Sequence, residues 1–244
     1  AGKRYRQYID QGVNDYWAPG VNANKLLGMT RFADAVTDDA RLVMRVLHDG
    51  NDKGGVSLNY VKAVDTLRDT DGVNGLSIED QITKKKITLR SKVVVNATGA
   101  WTDVLRATLG QQRVIRPLRG SHLVVPFWRL PVSFSVSFFH PKDKRPVFVF
   151  PWEGMTVIGT TDIDHRASMD SEAAITTAEL DYLLDAVNHQ FDQANIIAED
   201  VVSTWSGVRP VVSENQNEVV DDAVDKGSEG KPSSEKREHA IWND

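Results

Sequence analysis

The sequence predicts an α+β fold with mixed sheets in two lobes. Three observations carry this. Residues 56–97 read as successive strands ending in the apolar triplet Val93-Val94-Val95, which runs into a helix. Residues 113–162 are strand-rich, with apolar positions alternating at period two. Residues 176–193 carry a marked amphipathic helix that can back this second sheet. The boundary that follows falls near residue 110, with the second lobe over 111–205 and a mobile tail toward the end of the chain.

Residues 1–30 are polar with scattered aromatics (Tyr5, Tyr8, Tyr16, Trp17), and Pro19-Gly20 breaks the pattern. A helix follows over 37–50. Thr37 is its N-cap, Asp38 and Asp39 suit the positive end, and Gly50 closes it. Val43, Val46 and Leu47 form a stripe that predicts a packing helix. Strands are expected over 58–67, over 76–82 and from Ile87. Turn signals at Asp69-Thr-Asp-Gly72 and Asn74-Gly75 and a solvated lysine run, Lys84-Lys-Lys86, separate them. Val93-Val94-Val95 fits a strand buried on both faces, and 101–109 a helix closed by Gly110.

In the second lobe, Phe134, Val136 and Phe138 alternate with serines, as in a strand with one buried face. Strands at 147–150 and 156–160 flank Pro151-Trp-Glu-Gly154 as a hairpin. Thr176-x-x-Glu179 is a capping box and Ile175 with Leu180 a hydrophobic staple. Leu180, Leu183, Leu184, Val187 and Phe191 make the buried face of that helix. A strand at 201–205 leads into Ser206-Gly-Val-Arg-Pro210. Residues 226–238 contain no apolar side chain and predict a mobile loop, and Ala240-Ile-Trp242 looks like the start of a strand.

Composition narrows the function. The 244 residues include 29 Lys+Arg and 34 Asp+Glu, a net charge of −5 that argues against nucleic acid as a bulk electrostatic partner. The absence of cysteine excludes disulfides, thiolate nucleophiles and Cys-based zinc sites, and points to a reducing compartment. No two of the six histidines lie within one helical turn of each other, which argues against a metal centre. No apolar run approaches the ~18 residues of a membrane span. Neither a P-loop nor Gly-x-Ser-x-Gly nor Gly-x-Gly-x-x-Gly occurs. The chain begins Ala-Gly-Lys-Arg without an initiator Met or a signal-peptide pattern, as expected of a processed chain or a piece of a longer one.

Four segments can carry chemistry. A strand running into Asn96-Ala-Thr-Gly-Ala-Trp101 lets a ligand approach the backbone closely, although a plain strand–helix turn has the same spacing. Arg209, beside Pro210, is placed to hold an anion through its guanidinium fork, or else to form a structural ion pair. His122 in Arg119-Gly-Ser-His122 is a candidate base, or a structural histidine at a strand start. Gly159-Thr-Thr-Asp162 ends a strand with hydroxyls and a carboxylate, the composition of a turn or helix cap.

Asp34-Ala-Val-Thr-Asp-Asp-Ala-Arg-Leu42, Val95-Asn-Ala-Thr-Gly-Ala-Trp101, Arg119-Gly-Ser-His122, Pro151-Trp152, Gly159-Thr-Thr-Asp162 and Ser206-Gly-Val-Arg-Pro210 occur in this order. Together they resemble the FAD-dependent glycerol-3-phosphate dehydrogenases, within the D-amino-acid-oxidase-like flavoproteins. The resemblance covers 31–212 and, more loosely, 237–242. It implies that 1–110 is a partial FAD-binding lobe, 111–205 a substrate-binding lobe and 206–244 a return to the FAD lobe. Family members begin with a glycine fingerprint for the FAD pyrophosphate and end with Gly-Gly-Lys-Leu-Thr. Neither occurs here, so the resemblance implies the central part of such an enzyme, with no stoichiometric FAD held by this chain alone.

The implied reaction is oxidation of sn-glycerol 3-phosphate to dihydroxyacetone phosphate, with electrons passing to a quinone. The implied setting is cytoplasmic, with peripheral contact at the inner membrane. Arg209 would clamp the phosphate with Thr161 assisting, and His122 would serve as base or polariser. These three should then meet in one cleft. Val64 and the backbone of Ala97, Thr98 and Gly99 would line the adenine end of FAD. Two other readings stay open: an oxidase that passes electrons to oxygen, and a non-catalytic scaffold fragment.

Overall fold

Strand β1 (Arg6–Tyr8), helix α1 (Gln11–Trp17) and strand β2 (Met29–Arg31) open the chain, with β1 and β2 paired antiparallel. The computed structural model describes residues 6–24, 26–212 and 241. Among these the chain divides into two units, one of residues 32–113 and one of 6–31 with 114–212. Residues 6–31, expected in the first lobe, join the second. Val21 packs against the second unit's core, and the Asn22 N–H donates to the Gln190 carbonyl at 2.6 Å.

The 32–113 unit contains helix α2 (Asp39–Asp52), strands β3 (Val61–Asp69), β4 (Gly72–Asp80) and β5 (Lys86–Arg90), and helix α3 (Thr102–Ala107). The predicted meander is present as the antiparallel sheet β3-β4-β5. Helix α2 differs from expectation at both ends. Its N-cap is Asp38, whose Oδ1 accepts from Arg41 N at 3.0 Å, rather than Thr37. It runs through Gly50 because the left-handed residue past its end is Gly54, with φ +88°, whose N–H donates to the Asn51 carbonyl. Its apolar stripe buries nothing: Val43, Val46 and Leu47 are all exposed.

Val93-Val94-Val95 is a second correction. The triplet forms no strand, and Val93 and Val95 are 72% and 82% exposed. A strand needs a neighbour for its ladder bonds, and no described strand pairs with this segment. The helix after it is shorter than expected. A 3₁₀ turn at Gly99–Trp101 precedes α3, and Gly110, with φ +76°, follows.

The second unit adds β6 (Ile115–Pro126), β7 (Val136–Phe139), β8 (Pro146–Trp152), β9 (Met155–Gly159), β10 (Ile163–Asp164), helix α4 (Thr177–Gln190) and β11 (Ser203–Val212). All six strands form one antiparallel sheet built around the long strand β6. β11 pairs with β6 from Ile115 to Val124 and so occupies one whole edge. β9 (opposite residues 122–126) and β10 (opposite Leu118 and Arg119) must therefore share the other edge. The link 160–162 between them runs beside Gly120 and Ser121 in the middle of β6, where Thr161 N donates to the Ser121 carbonyl. The β8–β9 hairpin turns through Glu153 and Gly154, both at positive φ, as a two-residue hairpin loop requires.

The capping box is present: Glu179 Oε2 accepts from Thr176 N at 2.9 Å, and Glu179 N donates to Thr176 Oγ1. Leu183, Ala186 and Val187 of α4 bury against Leu123, Val125, Val147, Val149 and Ile158 of the sheet. Strand β11 is longer than the expected 201–205. Residues 206–212 stay paired with β6 rather than returning to the first lobe, because ladder bonding continues through Gly207 and Arg209. The expected loop at 226–238 lies outside the described residues, as do Ala240 and Trp242 of the expected terminal strand.

Candidate active site

Side chains directly opposite one another in an antiparallel pair share a face, and successive residues alternate between faces. The β6–β11 register therefore puts Leu118, Gly120 and His122 with Arg209, Gly207 and Trp205 on one face. Arg119 and Ser121 lie with Val208 and Ser206 on the other.

On the first face, the Arg209 guanidinium lies across Gly120. A Cβ at Gly120 would fall 2.7 Å from Arg209 Nη2 and 2.7 Å from Thr160 Oγ1. Arg209 Nη1 reaches Asp162 Oδ1 at 3.2 Å. The His122 ring packs over Gly159, where a Cβ would lie 2.2 Å from its Cδ2. It also stacks on Trp205 with centroids 4.8 Å apart and planes 20° from parallel. Two glycines thus make room for one cation and one imidazole.

Burial first, and then the charge of Arg209, push the His122 imidazole down to about 4. The ring is neutral at pH 7, and its buried Nδ1 has no partner among the described residues. The folded-state value lies below the ordinary 6.5, so the unfolded chain takes up the proton first on acidification. The contribution of His122 to stability is complete above pH 6.5 and is lost as pH falls toward 4. An NMR titration of the imidazole should give a midpoint near 4; a midpoint near 6.5 would place the ring in water, away from the Arg209 charge.

The opposite face is buried beneath α4. Glu179, 3% exposed, accepts from Arg119 Nη2 at 2.7 Å and from the hydroxyls of Ser121 and Thr161, each at 2.8 Å. Thr161 Oγ1 also accepts from Ser121 N at 2.9 Å. Ser121 and Ser206 hydroxyls meet at 2.7 Å. Burial alone would raise the Glu179 carboxyl, but hydrogen bonds from the Thr176 backbone, Arg119, Ser121 and Thr161 outweigh it and bring the group to about 2.

Of the three residues expected to converge, His122 and Arg209 share a face. Thr161 does not, since its hydroxyl is committed to Glu179 on the side away from Arg209. The hydroxyl beside Arg209 belongs to Thr160. Sequence reasoning missed Thr160, Trp205 and Gly120, and treated Glu179 as a cap alone. Strand parity through 118–122 was the signal that could have found them.

The four candidate FAD-lining residues lie in the other unit. Val64 is half-buried at an irregularity in the β3–β4 ladder, between the pairs Ala63↔Ile78 and Asp65↔Ser77. Asn96 organises the turn at Ala97, Thr98 and Gly99. Its Oδ1 accepts from Thr98 Oγ1 at 2.8 Å, and its Nδ2 donates to the Thr102 carbonyl at 3.0 Å. Ala97 and Thr98 are exposed, and Gly99 has φ +60°. This open backbone beside small side chains fits close approach of a flat, uncharged group such as the adenine end of FAD. None of the four residues carries a charge to meet a pyrophosphate.

Residues 2–232 match the family described as FAD dependent oxidoreductase, and the chain belongs to that family. It is 35% identical over 228 residues to the alpha-glycerophosphate oxidase of Streptococcus pyogenes, covering 91% of this chain and 36% of that protein. It is 33% identical over 228 residues to the aerobic glycerol-3-phosphate dehydrogenase of Staphylococcus saprophyticus, covering 92% of this chain and 38% of that one. The glycerol-3-phosphate dehydrogenase from Bacillus halodurans, solved with FAD, superposes with a TM-score of 0.78 at 31% identity, over 88% of this chain and 45% of that chain. The glycine oxidase of Geobacillus kaustophilus shares the fold, with a TM-score of 0.62 at 20% identity over 86% of this chain and 52% of that one. The chain spans little more than a third of the length of the two curated relatives.

Proposed function

We propose that this chain forms the substrate-binding sheet and part of the FAD lobe of an enzyme that oxidises sn-glycerol 3-phosphate to dihydroxyacetone phosphate, with electrons passing to a quinone. The observation that carries the reading is the pairing of the Arg209 guanidinium and the neutral His122 imidazole on one face of β6 and β11. The names of both relatives and the Bacillus halodurans structure support the oxidation of glycerol 3-phosphate in this reading.

FAD, when bound, supplies the acceptor for the two electrons that leave carbon two of the substrate as hydride. Val64 and the Ala97–Gly99 backbone hold its adenine end. Arg209 holds the substrate phosphate by charge-assisted hydrogen bonds, with the Thr160 hydroxyl beside it. His122 takes the hydroxyl proton on its imidazole as the carbon–hydrogen bond breaks. Phosphate on Arg209 offsets the charge that depresses the imidazole, so substrate binding itself makes His122 a better base.

The test uses the intact enzyme, of which this chain forms part, loaded with FAD. Glycerol 3-phosphate should bleach the flavin band, whereas glycerol, which lacks the anion, should not. Equal bleaching by both would reject the anion clamp, and bleaching by neither would reject the reaction. Relatives of nearly equal identity are named oxidase and dehydrogenase, so the acceptor is tested directly. Reoxidation by a soluble quinone without peroxide supports the quinone, and stoichiometric peroxide in air assigns oxygen instead.

A further inference from the structure

The Gly159-Thr-Thr-Asp162 segment ends in a carboxylate that the proposed reaction leaves without a task. Asp162 is 3% exposed, too buried for a solvated turn residue. Its Oδ1 accepts from Arg209 Nη1 at 3.2 Å, and its Oδ2 forms an ion pair with Arg145 Nη2 at 2.8 Å. Its carbonyl accepts from Arg145 Nη1 at 2.6 Å. Arg145 lies just before β8, and its own carbonyl accepts from His140 N at 2.8 Å, so it is anchored by the sheet. One guanidinium therefore grips Asp162 by both main chain and side chain, and the remaining carboxylate oxygen meets Arg209.

We infer that Asp162 is the positioning residue for the anion clamp: held by Arg145, its carboxylate fixes the Arg209 guanidinium flat over Gly120. This inference rests on the proposed reading that Arg209 binds the substrate phosphate. An arginine side chain has several rotatable bonds, and a fork that must be ordered at each encounter binds more weakly than one already in place. Two features hold Arg209 against this loss. Gly120 gives the guanidinium a flat seat, and Asp162 fixes one nitrogen at the rim of that seat.

The direction of the effect is diagnostic. A carboxylate beside an anion site repels the anion, so a mere counterion weakens binding and its removal tightens it. A positioning carboxylate strengthens binding, and its removal loosens it. Asp162→Asn keeps the size and one oxygen acceptor while removing the charge.

The experiment compares wild type, Asp162→Asn, Arg145→Lys and Arg209→Ala in the intact, FAD-loaded enzyme of which this chain forms part. It measures affinity for inorganic phosphate by calorimetry, KM and kcat for glycerol 3-phosphate, and Tm. Asp162→Asn should weaken phosphate binding and raise KM by roughly 10-fold, the loss of one charge-assisted bond, while kcat changes much less. Arg145→Lys keeps the charge but loses the two-point grip on Asp162, and should move both quantities in the same direction by less. Tighter or unchanged phosphate binding in Asp162→Asn overturns the inference. If Asp162→Asn fails to fold, Arg145→Lys decides by the same sign, because it loosens Asp162 without removing a cation. Unchanged phosphate binding in Arg209→Ala overturns the clamp and this inference together. A loss in Arg209→Ala with none in Asp162→Asn overturns this inference and leaves the clamp standing.

Discussion

Replacing Glu179 with alanine should cost about 3–5 kcal/mol, the usual penalty for removing one partner of a buried ion pair. The reason is the uncompensated charge left behind. Arg119 is only 8% exposed, and its Nε and Nη2 both point at the Glu179 carboxylate. Ser121 and Thr161 lose an acceptor at the same moment, and α4 loses half of its capping box. Expressed as melting temperature, about 2–4 °C per kcal/mol predicts a fall on the order of 6–20 °C. Glu179→Gln separates charge from shape. In wild type the folded-state carboxyl lies near 2, below its ordinary 4.5. Its contribution is therefore complete above pH 4.5 and is lost as pH falls toward 2. Glu179→Gln should lack that part of the acid dependence. A Tm within about 1 °C of wild type in Glu179→Ala would mean that the network carries no net stability.

Elements whose partners lie close in sequence were legible. The meander 61–90, the Glu153-Gly154 hairpin and the Thr176–Glu179 cap each depend on local turn chemistry, and each forms, although Asn74-Gly75, read as a turn, lies inside β4. Val93-Val94-Val95 and the α2 stripe were misread for the opposite reason. Their apolar patterns are real, but burial depends on a neighbour, and no described residue covers Val93, Val95 or Val46. Periodicity reports what a segment is able to bury, not whether something is there to cover it.

The site was half legible. The resemblance brought His122 and Arg209 forward, and the β6–β11 register puts them on one face although 87 positions separate them in the chain. Thr161 was chosen over Thr160 because hydroxyls adjacent in sequence look alike until register is known. In the link 160–162 a shift of one residue turns a side chain from Arg209 to Glu179. The end of the substrate unit was misread in the same way. The strand expected to end at residue 205 continues through Gly207 and Pro210, because β11 pairs with β6 as far as Val212.

Arg209→Ala should leave stability nearly intact and remove most of the activity, the reverse of Glu179→Ala. Its side chain is 33% exposed, and its partner Asp162 keeps Arg145 at 2.8 Å when Arg209 is gone. No buried carboxylate is orphaned, so the stability cost stays near the ~1 kcal/mol of a partly exposed pair. The substrate phosphate, by contrast, loses the guanidinium that holds it in the proposed site and keeps only the neutral Thr160 hydroxyl among the described residues there. Truncating one side of a desolvated charge pair costs roughly 2–5 kcal/mol, or about 30- to several-thousand-fold in kcat/KM. Arg209→Lys keeps the charge but loses the planar fork that lies over Gly120, and should recover only part of that loss. His122 supplies an independent readout: without the Arg209 charge its imidazole should titrate higher than in wild type, with burial still holding it below 6.5. Measured on one preparation, a lowered Tm with wild-type kcat/KM would make Arg209 a structural ion-pair residue. A wild-type Tm with a collapsed kcat/KM and a raised His122 pKa is the result expected of the clamp.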